Sequence, residues 1–115
     1  MNHKDLEVWK RSIELAKAVY DLTRDFPSSE IYGLTSQMRR SAVSIPSNIA
    51  EGAARNADKE LMHFLHIALG SIAELETQYI LSKEFGYTDD RAEVETGLET
   101  VRKMTVGLIK HLRNK

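Results

Sequence analysis

Apolar side chains recur at alternating steps of three and four residues in four successive stretches of this 115-residue chain. Such spacing places the apolar residues on one face of an α-helix, and no stretch shows the two-residue alternation of a half-buried strand. The stretches cover roughly residues 5–26, 34–54, 57–85 and 89–112. The pattern therefore predicts an all-α protein with one helix in each stretch.

The third stretch has the most regular pattern, which continues for almost three heptads in Leu61, Leu65, Ala68, Ile72, Leu75 and Tyr79. Further apolar residues widen this face beyond one stripe. The first stretch carries two adjoining stripes, one with Leu6, Trp9, Ile13, Ala16 and Tyr20, the other with Leu15, Val19, Leu22 and Phe26. This surplus predicts self-association, because apolar area left in water favours burial against another copy. The alternative is that each helix of a small bundle contacts two neighbours, so wide apolar faces are ordinary.

The breaks between the stretches consist of residues that end helices. Pro27 restricts the residue before it, and Gly86 suits the left-handed position after a helix. Side chains that commonly cap helices precede or begin the later stretches, and the candidate caps are Thr35 or Ser36, Asn56, and Thr88. Pro46 lies inside the second stretch and predicts a kink or a split there.

Four helices of this length joined by short connections favour one architecture. Sequential neighbours pack antiparallel when their connections are short. We therefore predict a single domain over residues 1–115, an antiparallel up-down-up-down four-helix bundle whose second helix is kinked near Pro46.

Composition excludes several classes of protein. The absence of cysteine rules out disulfides, a thiol nucleophile and thiolate metal sites. No apolar run approaches the roughly 20 residues that span a bilayer, and the amino-terminal residues lack the apolar core of a signal peptide. We expect a cytoplasmic protein that does not enter membranes. The formal net charge of −1 lacks the strongly basic balance of most nucleic-acid-binding domains.

Catalytic and metal-binding signatures are sparse. No Gly-rich phosphate loop, Ser/His/Asp arrangement or nucleophile elbow is visible. Glu60 and His63 have the spacing used by di-iron bundles, and His66 follows, but such a centre needs two of these motifs plus further glutamates. We therefore expect no metal, no cofactor and no enzymatic activity.

A basic cluster in or near the second helix offers one candidate binding surface. It consists of Arg39, Arg40, Arg55 and Lys59, opposed only by Glu51 and Asp58. A ring of such side chains in an oligomer would concentrate positive potential for contact with phosphates. The alternative, which the net charge favours, is that Arg40 pairs with Glu51 or Glu74 between helices while the other side chains are solvated.

The segment from Ser44 to Gly52 is the second candidate. A proline break exposes backbone groups, which could form a ligand pocket. A structural role is the favoured interpretation: Pro46 sets a bend, Asn48 and Glu51 hydrogen-bond to neighbouring helices, and Gly52 allows close packing.

Four motifs carry a resemblance to a known family. They are Asp5-Leu6-x-x-Trp9-Lys10; Phe26-Pro27-x-x-Glu30-x-Tyr32-Gly33-Leu34-Thr35-x-Gln37-x-Arg39-Arg40; Ser44-Ile45-Pro46-Ser47-Asn48-Ile49-Ala50-Glu51-Gly52; and Ile67-Ala68-x-Gly70-Ser71-x-x-Glu74-Leu75-Glu76. Together they resemble the four-helix-bundle family of 23S ribosomal RNA intervening-sequence proteins. The family name records where some of its genes sit and does not state an activity.

The resemblance implies a ring-like homopentamer. It also implies kinship with the accessory variability determinant of diversity-generating retroelements, a positively charged pentameric barrel that works with a reverse transcriptase and nucleic acid. The net charge of −1 differs from the positive charge of that relative. The resemblance therefore supports an oligomer more strongly than it supports a nucleic-acid role. We expect a homo-oligomeric scaffold with RNA or DNA as its candidate partner. The alternative is an adaptor that docks a protein partner on apolar surface of the oligomer.

Overall fold

Four α-helices and no strands make up the computed structural model, which describes residues 1–115. The helices are α1 (Glu7–Thr23), α2 (Leu34–Ala53), α3 (Asp58–Glu84) and α4 (Ala92–Arg113). Short 3₁₀ turns at His3–Asp5 and Ser28–Glu30 precede α1 and α2. The predicted all-α class is therefore confirmed.

Each helix packs against two others, as in a four-helix bundle. Helix α1 contacts α2 and α4, and α3 contacts the same two helices, with no contact across either diagonal. The bundle measures 46 × 22 × 20 Å. The connection before α2 meets the connection after α3, where the Tyr87 hydroxyl donates to Glu30 Oε2 over 2.7 Å. The up-down-up-down order remains a prediction with which these contacts are consistent.

The core is a single cluster of buried apolar side chains drawn from all four helices. All six residues of the regular stripe on α3 are buried. In α1 only one of the two predicted stripes is buried, the one that contains Leu15, Val19 and Leu22. Trp9 and Tyr20, from the other stripe, lie on its flank and keep part of their surface in water. Leu6, Trp9 and Ala16 of this stripe pack against the core from its edge.

The end of α3 has the predicted glycine geometry. Gly86 has a φ of 77°, in the left-handed region that glycine adopts without steric cost. The Gly86 amide donates to the Lys83 carbonyl over 3.0 Å, and the Tyr87 amide donates to the Ser82 carbonyl over 2.9 Å. These two bonds form a Schellman motif that satisfies the last carbonyls of the helix.

The capping side chains predicted for the other helices are wrong. Helix α3 begins after Ala57 and α4 after Arg91, both without a side-chain cap. Helix α2 begins at Leu34, whose amide donates to Glu30 Oε1 over 3.0 Å. This carboxylate belongs to the preceding 3₁₀ turn. Capping of α2 therefore depends on the path of the connection and not on the residue next to the helix in the sequence.

Pro46 lies within α2 and is buried. The helix continues through it from Leu34 to Ala53, so the predicted split does not occur. The kink near Pro46 stays a prediction.

None of the four helices combines the length and the apolar character that crossing a bilayer requires.

Glu30 makes stability depend on pH. Hydrogen bonds from the Leu34 amide and then from the Tyr87 hydroxyl lower the pKa of Glu30 below its ordinary 4.5. A lowered folded-state pKa gives stability that is present above pH 4.5 and lost as the pH falls through the folded-state value. We expect Glu30→Gln to lower the melting temperature at neutral pH, with a difference from the native protein that shrinks below pH 4.5. Thermal melts across this pH range measure it. Glu84→Gln, at an exposed position on α3, is the control and should show no such convergence.

Candidate interaction surfaces

The four basic residues proposed from the sequence do not form one patch. Arg39 and Arg40 lie near the start of α2, whereas Arg55 and Lys59 flank the connection from α2 to α3. At 1.5 Å per residue, the helix between Arg40 and Arg55 is about 22 Å long. The two pairs are therefore too far apart to form one surface patch.

Arg39 is held against α1. Its Nε donates to Thr23 Oγ1 over 2.9 Å, and its guanidinium lies 4.5 Å from the centre of the Tyr20 ring. Thr23 is the last residue of α1, and that helix has no basic residue in its own last turn. A cation beside the last carbonyl groups of a helix complements the helix dipole. Arg39 therefore joins α1 to α2, which is a structural role.

Arg55 is also engaged, in an ion pair with Glu51 at 2.9 Å, and its guanidinium lies 5.3 Å from the centre of the Phe64 ring. Glu51 thus pairs within its own segment and does not reach Arg40 or a neighbouring helix as expected. Asp58 pairs with Lys115 at 3.1 Å. Arg40 and Lys59 are exposed and have no ion-pair partner, and Arg39 has none either but is held against Thr23 and Tyr20.

A polar groove runs between α2 and α3. It has a volume of about 430 Å³ and is lined by Gln37, Arg40, Ser41, Ser44, Glu74 and Gln78. Ser41 Oγ donates to Glu74 Oε1 over 2.7 Å, so Glu74 bonds to a serine and not to Arg40 as the sequence suggested. Ser44 Oγ lies 2.6 Å from Ser71 Oγ, which gives a second hydrogen bond between the helices. We call this surface the α2/α3 groove.

The segment from Ser44 to Gly52 helps to build this groove. The Asn48 amide donates to the Ser44 carbonyl over 2.8 Å and approaches Ser44 Oγ at 3.1 Å, so Asn48 braces its own helix and not a neighbour. At Gly52, a Cβ would lie 2.8 Å from Phe64 Cβ. Gly52 therefore allows the close packing of α2 and α3 that was expected of it.

Three of the four motifs that carry the family resemblance meet at the α2/α3 groove. Gln37 and Arg40 belong to the second motif, Ser44 to the third, and Glu74 to the fourth. Residues distant along the chain thus converge on one surface, which makes it the principal candidate site.

The groove contains unsatisfied hydrogen-bonding groups. Gln78 is only 8% exposed, and its buried Oε1 has no hydrogen-bond donor. Glu74 has no cationic partner, and Arg40 has no anionic one. Sequence reasoning did not select Ser41 or Gln78. The signal for Gln78 was its spacing, since it lies seven residues after Ser71 and four after Glu74 on one side of α3.

The residues considered for a metal lie elsewhere. Glu60, His63 and His66 are exposed on α3, and no group of three or more histidine or acidic side chains is arranged to hold an ion.

Exposed apolar side chains cluster near the groove and the connections. On α3 they are Ile67, Ile80 and Leu81, with Phe85 directly after it, and on the side of α1 and α2 they are Tyr20, Ile31, Tyr32 and Val43. Tyr32 is 95% exposed and Phe85 is 56% exposed. Large apolar residues this open to water are typical of contact surfaces.

We expect Gly52→Ala to destabilise the protein by about 1–3 kcal/mol, because the new Cβ overpacks against Phe64. Gly70→Ala is the matched control, since Gly70 lies on the exposed side of α3 and a methyl group added there would have no neighbouring atom within 4 Å. That substitution should stabilise the helix by about 0.5–1 kcal/mol. Chemical denaturation of both variants measures the difference. Equal effects would contradict the close approach at Gly52.

Arg39 and Arg40 are adjacent but should differ in their contribution to stability. We expect Arg39→Ala to cost about 1–2 kcal/mol, through the lost hydrogen bond to Thr23 and the lost contact with Tyr20. Arg40→Ala should change the free energy of unfolding by less than about 0.5 kcal/mol, as is usual at exposed positions. Urea denaturation of the two variants tests this, and a larger loss for Arg40→Ala would reverse the assignment.

The family of the 23S rRNA-intervening sequence protein matches residues 4–107 of this chain. Among curated proteins no match was found. Because the match extends from before α1 to well into α4, this chain belongs to the 23S rRNA-intervening sequence protein family.

Proposed function

We propose that this protein is a non-enzymatic, homo-oligomeric helical scaffold of the cytoplasm that assembles into a pentameric ring. The observation that carries the proposal is the set of large apolar side chains left in water beside the α2/α3 groove. Ile67 and Leu81 are each 39% exposed, and Phe85 directly after α3 is also exposed. Burial against another copy gains roughly 25 cal/mol for each Å² removed from water. The pentameric number comes from the family resemblance.

The groups with shifted pKa values support a structural interpretation. Burial and then the hydrogen bond to Glu95 raise the pKa of Tyr79, and the hydrogen bond to Glu30 raises the pKa of Tyr87. The Tyr79 hydroxyl joins α3 to the start of α4, the Tyr87 hydroxyl joins two connections, and neither residue lines the α2/α3 groove.

Nucleic acid is the candidate partner of the assembled ring. Arg40 and Lys59 are exposed and have no ion-pair partner, so each copy would contribute both of these cations. A ring repeats these cations and concentrates their potential. The formal charge of −1 for each chain limits the contact to such local sites.

A protein adaptor is the second candidate. Tyr32 and Ile31 protrude from the connection between α1 and α2, with exposures of 95% and 57%. Exposed aromatic side chains often anchor protein partners. An adaptor would bind its partner at this connection and would not retain nucleic acid.

Purification without nuclease, followed by molar mass and the ratio of absorbance at 260 and 280 nm, tests these proposals. We expect an oligomer at micromolar concentration with RNA that dissociates steeply as salt rises. The double variant Arg40→Ala and Lys59→Ala should keep the molar mass and lose most of the RNA. Lys110→Ala, at an exposed position on α4, is the control for loss of one positive charge.

The outcomes separate the alternatives. A monomer at tens of micromolar would contradict the scaffold itself. An oligomer without RNA at low salt, together with a co-purifying protein that Tyr32→Ala releases, would replace the nucleic-acid partner by a protein partner.

A further inference from the structure

A groove between α1 and the first turns of α2 has a volume of about 540 Å³ and differs from other grooves in its charge. Its lining includes Tyr20 of α1, Ile31 of the connection, and Thr35, Ser36, Arg39 and Arg40 of α2. We call it the α1/α2 groove. No acidic side chain lines it. By contrast, Glu74 lines the α2/α3 groove, and Glu14 and Glu93 line a groove between α1 and α4. The α1/α2 groove is therefore locally positive in a chain whose formal net charge is −1.

The two guanidinium groups of this groove are held differently. Arg39 is fixed by its hydrogen bond to Thr23 Oγ1 and by its contact with the Tyr20 ring, so its charge stays beside the groove. Arg40 is exposed and can turn toward a ligand. Neither guanidinium has a carboxylate partner, so both charges remain for an anion. Arginine is well suited to phosphate, because its planar N–H groups can donate to two oxygens at once.

Thr35 is buried, yet its hydroxyl has no hydrogen-bond partner. The residue is only 6% exposed, and it lines the α1/α2 groove. Its Oγ1 makes no hydrogen bond within the chain, and it is not among the polar atoms that are sealed from solvent. The surface that Thr35 keeps therefore opens on the groove, where an oxygen of a ligand can reach it. Buried hydroxyls nearly always have a partner, so this one indicates a site for a ligand.

The start of α2 supplies two further donors. The Leu34 amide donates to Glu30 Oε1, and Glu30 does not line the groove. The next two amides, those of Thr35 and Ser36, donate to no carbonyl or side chain. Unpaired amides at the start of a helix carry the positive end of its dipole and bind anions. Here they lie next to the unpartnered hydroxyl and one turn before Arg39.

We propose that the α1/α2 groove binds the terminal phosphate of a nucleotide, either free or at the 5′ end of an RNA strand. The two arginines, the Thr35 and Ser36 hydroxyls and the two amides donate to the phosphate oxygens. A terminal phosphate presents three such oxygens and more negative charge than a phosphate within a strand, so it uses more of these donors. This inference rests on the proposed nucleic-acid partner and names the group that the protein holds.

The size and the apolar lining of the groove favour a nucleotide over a bare anion. Its volume lies within the range of about 300–1,000 Å³ that is usual for small-molecule sites. Tyr20, Ile31 and Val43 line it and keep 40%, 57% and 43% of their surface in water. An inorganic phosphate would leave these side chains uncovered, whereas a sugar and base would cover them. Tyr32, adjacent to Ile31, is also exposed and can stack on a base.

Calorimetric titration of the full-length protein tests the groove with three probes: adenosine 5′-monophosphate, adenosine and inorganic phosphate. We expect the monophosphate to bind at least about tenfold more tightly than adenosine, because the phosphate accepts charge-assisted hydrogen bonds. Inorganic phosphate should bind more weakly and compete with the nucleotide. Equal affinity for adenosine and its monophosphate, or no binding of the monophosphate, would overturn the proposal.

Two variants locate the binding. Thr35→Val keeps the shape of the side chain, removes the hydroxyl and should raise the dissociation constant of the monophosphate about fivefold. Arg40→Ala should raise it about tenfold. Arg102→Ala is the matched control, since Arg102 is an exposed arginine on α4 without an ion-pair partner. Thr77→Val, at an exposed position on α3, is the control for loss of a hydroxyl. Both controls should bind as the native protein does.

Thermal melts establish that each variant is folded. If Thr35→Val does not fold, Arg40→Ala decides the location, because Arg40 is exposed and contributes little to stability. Binding of the monophosphate that Arg40→Ala leaves at the native affinity would place the nucleotide elsewhere and overturn the proposal.

A short RNA with a 5′-phosphate, compared with the same RNA ending in a 5′-hydroxyl, distinguishes the two sources of the phosphate. Tighter binding of the phosphorylated strand, lost in Arg40→Ala, assigns the groove to an RNA end. Binding of the monophosphate without a preference between the strands assigns it to a free nucleotide. If the protein retains RNA but does not bind the monophosphate and does not distinguish the strands, the groove site is wrong while the nucleic-acid partner stands. If it binds the monophosphate but no RNA, the nucleic-acid partner is wrong while the groove stands.

Discussion

The close packing of α2 against α3 is the constraint on which the rest of the molecule depends. Gly52 lets the two backbones approach at one end, because a methyl group there would collide with Phe64. Ser41 and Ser44 then bond across the interface to α3 with short hydroxyl side chains. Small residues allow two helices to approach closely, and hydrogen bonds fix how far one can slide along the other. The relative position of these helices is thereby set.

This packing has a consequence for the surface. Hydroxyls that join two helices draw polar groups into a region that apolar side chains would otherwise fill. Gln78 is buried there, and its carbonyl oxygen is left without a donor. An exposed charge without an ion-pair partner, such as Arg40, is common. It is uncommon for such a charge to lie beside a buried acceptor that also lacks a hydrogen-bond partner. The α2/α3 groove therefore has the character of a contact that a single chain leaves incomplete.

The sequence predicted the helices and most of the core, because burial in a bundle follows the three-four period directly. It could not decide between the two stripes of α1, since both are apolar and only the placement of α2 and α4 selects Leu15 over Trp9. The predicted cap of α2 failed because Glu30 reaches this helix from a turn whose path no local pattern encodes. The basic cluster divided because Arg39 and Arg40 lie near the start of α2, whereas Arg55 and Lys59 flank the connection that follows this helix.

The site was harder to predict for the same physical reason. Arg39 and Arg40 are identical in type and adjacent, yet the helix turns about 100° between them, so one meets Tyr20 and Thr23 while the other remains free. A free charge contributes little to the stability of one chain. Its effect lies in discrimination, because a like charge brought against it is repelled and an unlike one is aligned. The side chains that contribute least to the stability of the folded chain are therefore the ones best placed to determine which partner it binds.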